Sequence, residues 1–399
     1  MLRMVEKIVV WEFLLFSGGL RFDMSDQRGA MLLILLTSFY VFYKNRASKS
    51  SVFIHNFKIA LPLMIWAFLC NVVFNQFKDF TYIPYIFYCL SCCLAISTFD
   101  FEIFRNRILK YLKILCVGAI IAQLGHDYLD ISATRFYPSW SMGSWGMNLW
   151  MFNTEWDVHR MACIYWEPGQ FQVVLIFVLS LFFDELKSMS NIYVKLKKFG
   201  LLIISILMTL STTGYITLGL LIVAATLCSP IAKKHRILLP FIIFLSLIPA
   251  YFLWNSSVVK DKFAEKDNSS YSSRMYDIMG MLRLIELKPI TGFGSTSQTA
   301  QIINNQTDNR NSSNGWLHIA SVNGIPYLLA LIIFMYYSVK RQVYDTISTF
   351  SIMVVLIMSQ AGEPLPYYPY MWMYIFIFKS YGVLPIRPKL SEEGVVSIN

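Results

Sequence analysis

Lys260-Asp261-Lys262-Phe263-Ala264-Glu265-Lys266-Asp267 stands near the start of a mostly polar interval, Asn255 to Asn323, set between stretches that are almost continuously apolar. Further charges follow at Arg274, Asp277, Arg283 and Glu286, and an Asn-rich run then leads to Asn314. Such a segment cannot cross a bilayer, because each ionised side chain would have to leave water for hydrocarbon. It is therefore a long extramembrane loop, and loops of that length are ordinarily functional or disordered. Part of this one is patterned. From Ser272 to Glu286, the residues Met275, Ile278, Met279, Leu282 and Ile285 recur at three- and four-residue spacing, which describes one helical stripe. Ser273 suits the cap and Asp277 the first turns. The spacing predicts an amphipathic helix over 273–286, lying on the membrane surface with its stripe down.

The rest of the chain sets the class. Of 399 residues, 56% are hydrophobic and only 15% charged, against roughly a quarter charged in soluble domains. That composition predicts an all-α, polytopic integral membrane protein. A span needs about twenty apolar residues. By that ruler, spans fall near 5–20, 30–43, 58–75, 82–98, 111–125, 168–183, 199–212, 214–229, 237–254, 323–338, 346–361 and 370–386, about twelve in a single membrane domain covering 1–399. The stretch 199–229 can also be read as one long broken helix. The first apolar run holds Glu12 and lacks a small-residue cleavage site, so it reads as a short span and not as a removable leader.

The net charge of +10 would suggest nucleic acid in a soluble protein. Alternating the spans from a cytoplasmic N-terminus gives a different explanation. Most of the 34 Lys and Arg then fall on inner loops, among them Lys44, Arg46, Lys49, Arg105, Arg107, Lys110, Lys195, Lys197, Lys198, Lys233, Lys234 and Arg236, as the positive-inside rule requires. The basic charge is topogenic, nucleic-acid binding is not supported, and both termini are expected in the cytoplasm. Two long loops are left on the outer side, 126–167 and 255–322.

The first loop carries Arg135, Tyr137, Trp140, Trp145, Trp150, Trp156, Arg160, Tyr165 and Trp166. Its rings fit either an interfacial anchoring belt or a platform for sugar faces. It closes on Glu167-Pro168-Gly169. Pro168 suits a first helical turn, which puts the Glu167 carboxylate at a positive helix end as general base, metal ligand or cap. Ser211-Thr212-Thr213-Gly214 interrupts an apolar run, and a tight turn between spans accounts for it. In the second loop, Arg274 sits at the edge of the stripe, suited to a lipid-bound phosphate or to headgroups, while Arg283 points nearly the other way. His318 follows Asn311-Ser312-Ser313-Asn314, where an imidazole could move protons or serve only structure. Gly362-Glu363-Pro364 with Tyr367, Tyr368 and Tyr370 makes a short aromatic turn from which no chemistry follows. Cys89, Cys92 and Cys93 share a helical face without a histidine and read as core. Only Cys163 lies in an outer loop, so no disulfide framework is expected.

This layout resembles the bacterial O-antigen polymerase and ligase superfamily, in its polymerase branch. The features that carry the resemblance are Arg160 with Glu167-Pro168-Gly169, the Ser-Thr-Thr-Gly break, Ser273-Arg274 followed by Pro289 and Gly292-Phe293-Gly294, then Asn314 and Gly324. Arg135 to Gly146 and Arg283 to Gly294 also share an Arg-x10-Gly spacing found in such polymerases. The ligase branch tends to carry a His-Asn pair where Ser313-Asn314 stands, and an arginine where Thr212 stands. The resemblance implies a glycan carried on undecaprenyl pyrophosphate and transferred to a hydroxyl of another lipid-linked repeat unit, at the outer face of the bacterial cytoplasmic membrane. It makes Glu167, Arg274 and His318 the expected catalytic residues, with Arg135, Arg160, Trp166, Arg283 and Asn314 binding substrate. Arginines would carry the pyrophosphate charge, so no metal or other cofactor is expected. Expected partners are the lipid-linked oligosaccharide, membrane lipid and a chain-length regulator protein. A ligase, a lipid-linked sugar flippase and a non-catalytic assembly protein are the competing classes.

Overall fold

The computed structural model describes residues 2–17, 27–45, 50–72, 83–129, 134–136, 145–148, 151–154, 160–165, 167–188, 191–229, 270–294, 314–343, 345–361 and 368–381. The expected span at 237–254 and the aromatic turn around 362–367 lie outside them, as does the charged run that opens the second loop. The helices are α1 (Leu2–Leu15), α2 (Gln27–Lys44), α3 (Ser51–Val72), α4 (Ile83–Ile96), α5 (Phe101–Leu129), α6 (Pro168–Ser180), α7 (Phe183–Ser188), α8 (Ile192–Met208), α9 (Thr212–Leu227), α10 (Ser270–Leu287), α11 (Gly315–Val343), α12 (Thr346–Ser359) and α13 (Pro369–Trp372). Among the described residues α3, α5 and α11 are long and apolar enough to cross a membrane, and α6, α9, α12 and most of α2 and α4 are shorter apolar helices.

Among the described residues the apolar stretches are helical, with one addition and one correction besides the start of α11, which lies at Gly315 inside the expected loop 255–322. The first long loop contains a small antiparallel sheet, β1 (Thr134–Phe136), β2 (Trp145–Asn148) and β3 (Met151–Thr154), in that order. Its register sets Arg135 opposite Gly146, so that Arg-x10-Gly pair is a cross-strand pair. The correction concerns the expected span 370–386. Among the described residues of that stretch, 370–381, α-helix is confined to Pro369–Trp372, and the chain then continues through turns to a short 3-10 turn at Lys379–Tyr381.

That irregular backbone is tolerated because it is buried in protein, where side chains replace the missing helical bonds. Asn56 of α3 donates to Ile377 O at 2.8 Å and accepts from Ile377 N at 2.9 Å. Ser338 of α11 donates to Phe376 O at 3.0 Å, and Lys379 N donates to Phe99 O at 3.1 Å. Hydropathy sees the apolar run Met371 to Phe378 but is blind to these partners, which lie more than thirty residues away in sequence.

At the centre is α6, buried at every position from Pro168 to Ser180. A helix that is apolar all round must be enclosed on all sides, and α5, α8, α9 and α12 pack against it. At its far end the guanidinium of Arg105 meets Glu102 at 2.7 Å, Glu185 at 3.1 Å and the Leu181 carbonyl at 3.2 Å, and stacks on Phe101 and Phe182. Lys198 pairs with the same Glu185. This network of basic side chains ties α5, α7 and α8 together at the end opposite Glu167. The seven cysteines are all free and buried.

A candidate active site between two helix breaks

Four chain segments meet at the Glu167 end of α6. Pro168 occupies the first turn and Glu167 the cap position in extended geometry, yet the Glu167 side chain makes no capping bond and is exposed. The cap reading of this carboxylate is thereby overturned. One and a half turns on, Gln172 lies against Gly214: a Cβ added to that glycine would sit 3.2 Å from the Gln172 side chain. Gln172 also donates to Ser359 O at 3.5 Å, at the end of α12. The next carbonyl, Gln360 O, accepts from Gly315 N at 3.1 Å, where α11 begins. The starts of α6, α9 and α11 thus face one end of the bundle, with the positive ends of their dipoles directed there.

Ser211-Thr212-Thr213-Gly214 ends α8 and starts α9, so 192–227 is two helices and not one. Leu210 takes a left-handed φ of 48°, and Ser211 caps α9 by accepting from Gly214 N at 3.3 Å. Breaking a helix releases carbonyls that need donors. Here Met208 O accepts from Met161 N at 3.0 Å and Thr209 O from Arg160 Nε at 3.1 Å. Arg160 therefore binds the backbone of the break, a role the sequence reading had not assigned to it.

The second break is inside α11. Gly324 has φ 83° and ψ 164°, a conformation essentially confined to glycine. In an unbroken helix Ser321, Val322 and Asn323 would receive bonds from residues 325, 326 and 327. Instead Ile325 N donates to Pro289 O at 2.8 Å and Pro326 has no N–H. The loop after α10 fills in: Phe293 N donates to Ser321 O and Gly294 N to Val322 O, both at 2.8 Å. The fit is close, since a Cβ on Gly324 would lie 1.9 Å from Ile290 O and one on Gly292 2.4 Å from Val322 backbone. Pro289-Ile290-Thr291-Gly292-Phe293-Gly294 is thus a latch on the break.

α10 begins at Ser270, three residues ahead of the expected cap Ser273. Met275, Met279 and Leu282 of the expected stripe are exposed, as a lipid-facing stripe would be in the protein alone. The opposite face, with Asp277, Met281 and Leu284, is buried against α11, and Ser321 Oγ meets Met281 Sδ at 3.4 Å. Asp277 is therefore on the packed face, seven residues into the helix, and not in its first turn. Arg283 is exposed. Asn314 caps α11 by accepting from Trp316 N and Leu317 N, each at 3.1 Å, and His318, half-buried, lies one turn further. Arg160, Glu167, Asn314 and His318 are therefore gathered at one end of the bundle. Trp166 lies outside the described residues, as do the side chains of Arg135 and Arg274. Gln172 was not anticipated, and nothing in its immediate sequence marks it, whereas Gly214 belongs to the Ser-Thr-Thr-Gly interruption.

Among the described residues no cluster of three His, Cys, Asp or Glu could hold a metal. Residues 199–332 match the family model described as O-antigen ligase. The matched stretch runs from within α8 through both breaks and the latch. It supports the superfamily of O-antigen polymerases and ligases, membrane enzymes of glycosyl-transfer type, without dividing one from the other. No curated protein matches the chain.

Proposed function

We propose that the protein is a repeat-unit polymerase of O-antigen, capsule or exopolysaccharide. It transfers a glycan from undecaprenyl pyrophosphate to a hydroxyl of another lipid-linked repeat unit at the outer face of the bacterial cytoplasmic membrane. The observation that carries this reading is the gathering of Arg160, Glu167, Asn314 and His318 with three helix N-termini at one end of the bundle, within and beside the matched stretch. Such an end is suited to a departing pyrophosphate, whose charge is stabilised by guanidinium groups and helix dipoles at a water-poor surface. In this reading Arg274, on α10, holds the pyrophosphate, with Arg135 and Arg283 along the glycan path. Glu167 takes the acceptor proton, with His318 as the alternative base. The α10 stripe Met275, Met279 and Leu282 rests in the outer leaflet.

Ser313 in place of histidine and Thr212 in place of arginine favour a polymerase. The ligase description of the matched family favours the second reading, in which finished polymer moves to a lipid acceptor. Complementing a null strain with Arg274→Ala separates the classes. A polymerase defect leaves surface glycan at single-repeat length, and that is the expected result. Polymer trapped on its lipid carrier would mean a ligase, loss of all surface glycan a flippase, and no change would remove Arg274 from the site.

A further inference from the structure

Glu12 stands in the first apolar run, on α1, with 2% of its surface exposed. A carboxylate buried there needs a cation or several hydrogen-bond donors, because a charge left alone in the interior is neutralised instead. Among the described residues it has neither. Its Oε1 has no donor, and no basic side chain forms an ion pair with it. The helices packed against α1 are α2, α5 and α13. Arg28 and Lys44, the charged residues of α2, stand near its two ends. On α5, Arg107 meets Glu6 at 3.1 Å, Arg105 is held by Glu102 and Glu185, and Lys110 and Lys113 do not pair with Glu12. Tyr111 stacks on Trp11, and the titratable residue of α13 is Tyr370. The partner that Glu12 does have is a hydroxyl: Thr37 Oγ1 of α2 lies 2.6 Å from Glu12 Oε2. The same Oγ1 lies 2.9 Å from Leu33 O and 3.2 Å from Ile34 O, one turn back on α2.

A hydroxyl has one proton to give and two lone pairs to accept with. If Thr37 gives its proton to a carboxylate, a buried charge is left with a single hydrogen bond, and the bond from a helical threonine to its own preceding turn is given up. If Glu12 carries a proton, its O–H donates to Thr37 Oγ1 and Thr37 donates on to Leu33 O. No charge is then buried, and the group left without a donor is a neutral carbonyl oxygen. We propose that Glu12 is an uncharged carboxylic acid at neutral pH, and that its proton clasps α1 to α2 through the chain Glu12 O–H, Thr37 Oγ1, Leu33 O. The clasp fixes a helix on which the candidate site leans. Leu14 O, two residues on, accepts from the Tyr165 hydroxyl at 3.1 Å, just ahead of Glu167, and Ser17 Oγ accepts from Tyr370 N at 3.0 Å. None of this depends on the glycan-transfer reading.

The test needs no substrate. Full-length protein in lipid nanodiscs at neutral pH is compared by infrared difference spectroscopy with Glu12→Gln and with Thr37→Val, which keeps the shape of threonine but removes the hydroxyl. The expected difference between wild type and Glu12→Gln shows the C=O stretch of a protonated carboxylic acid and no carboxylate bands. In Thr37→Val that stretch should move to higher frequency, because the acid O–H has lost its acceptor. Carboxylate bands in the first difference, or a carbonyl stretch that Thr37→Val leaves in place, overturn the proposal. Should Glu12→Gln not fold, the difference between wild type and Thr37→Val decides alone: a shifted acid carbonyl supports the clasp, and shifted carboxylate bands or no acid carbonyl overturn it.

Discussion

Arg160 and Glu167 lie seven residues apart and face opposite demands. The Arg160 guanidinium supports Thr209 O across the α8–α9 break, whereas Glu167 occupies a cap position without using its carboxylate as a cap. Arg160→Ala should therefore lower stability by about 1.5–3 kcal/mol, the range for a hydrogen bond to a charged group, seen as a lower unfolding temperature in detergent. Unchanged melting would assign Arg160 to substrate alone. If Glu167 is the general base, Glu167→Gln lowers turnover by roughly 10²–10⁴ and His318→Gln far less. The reverse order of the two variants would move the base to His318. Glu167-Pro168 was legible in the sequence because proline announces a helix start. The backbone role of Arg160 was not, since nothing in Arg160-Met161-Ala162-Cys163 shows that a helix breaks 49 residues later in the chain and leaves a carbonyl beside it.

At the scale of elements, the two breaks decide where the candidate groups stand. Gly324→Ala should cost about 1–3 kcal/mol for the backbone conformation alone, with more from the 1.9 Å approach to Ile290 O. We expect the latch to open, measured as faster hydrogen exchange at Phe293 and Gly294. A second test lies on the turn before α12, where Asp345 caps the helix through Ile347 N at 3.2 Å and Ser348 N at 3.4 Å. Desolvation works to raise this carboxyl's pKa, and the hydrogen bonds from the Ser348 hydroxyl and the two amides together outweigh it, so it lies below the usual aspartate range. A depressed folded pKa means that the stability is present above the unfolded value, about 3.9, and is lost as pH falls through the folded one. Asp345→Ala should cost about 1 kcal/mol near neutral pH and nothing once the carboxyl is protonated. A cost that did not shrink on acidification would contradict the charge-based cap.

The Ser-Thr-Thr-Gly break was legible as a small, hydroxylated interruption of an apolar run, whereas the Gly324 break was not, because the expected span 323–338 ran straight over it. Nor was the packed face of α10. Met281 and Leu284 match the exposed stripe in chemistry, and only the contact with α11 distinguishes the two sides.

Over the whole molecule, composition and the distribution of Lys and Arg pointed to a polytopic helical protein, and the described residues are largely helical, with three helices long and apolar enough to cross a membrane. The failure at 370–386 has a physical origin: burial in protein permits backbone that lipid would forbid, and hydropathy does not separate the two environments. The topology makes its own prediction. Lys198 and Glu286 should label from opposite sides of the membrane when replaced by cysteine in a chain whose buried thiols do not react. Labelling from one side would place the long loop in the cytoplasm and remove the outer site.

The most direct measurement of the central claim uses purified full-length protein in lipid nanodiscs, given an undecaprenyl-pyrophosphate-linked repeat unit with no other enzyme. The account predicts a ladder of lipid-linked glycans lengthening by whole repeats, with one undecaprenyl pyrophosphate released per step and with the ladder lost in Arg274→Ala. Release without lengthening, or a ladder that persists in that variant, would contradict it.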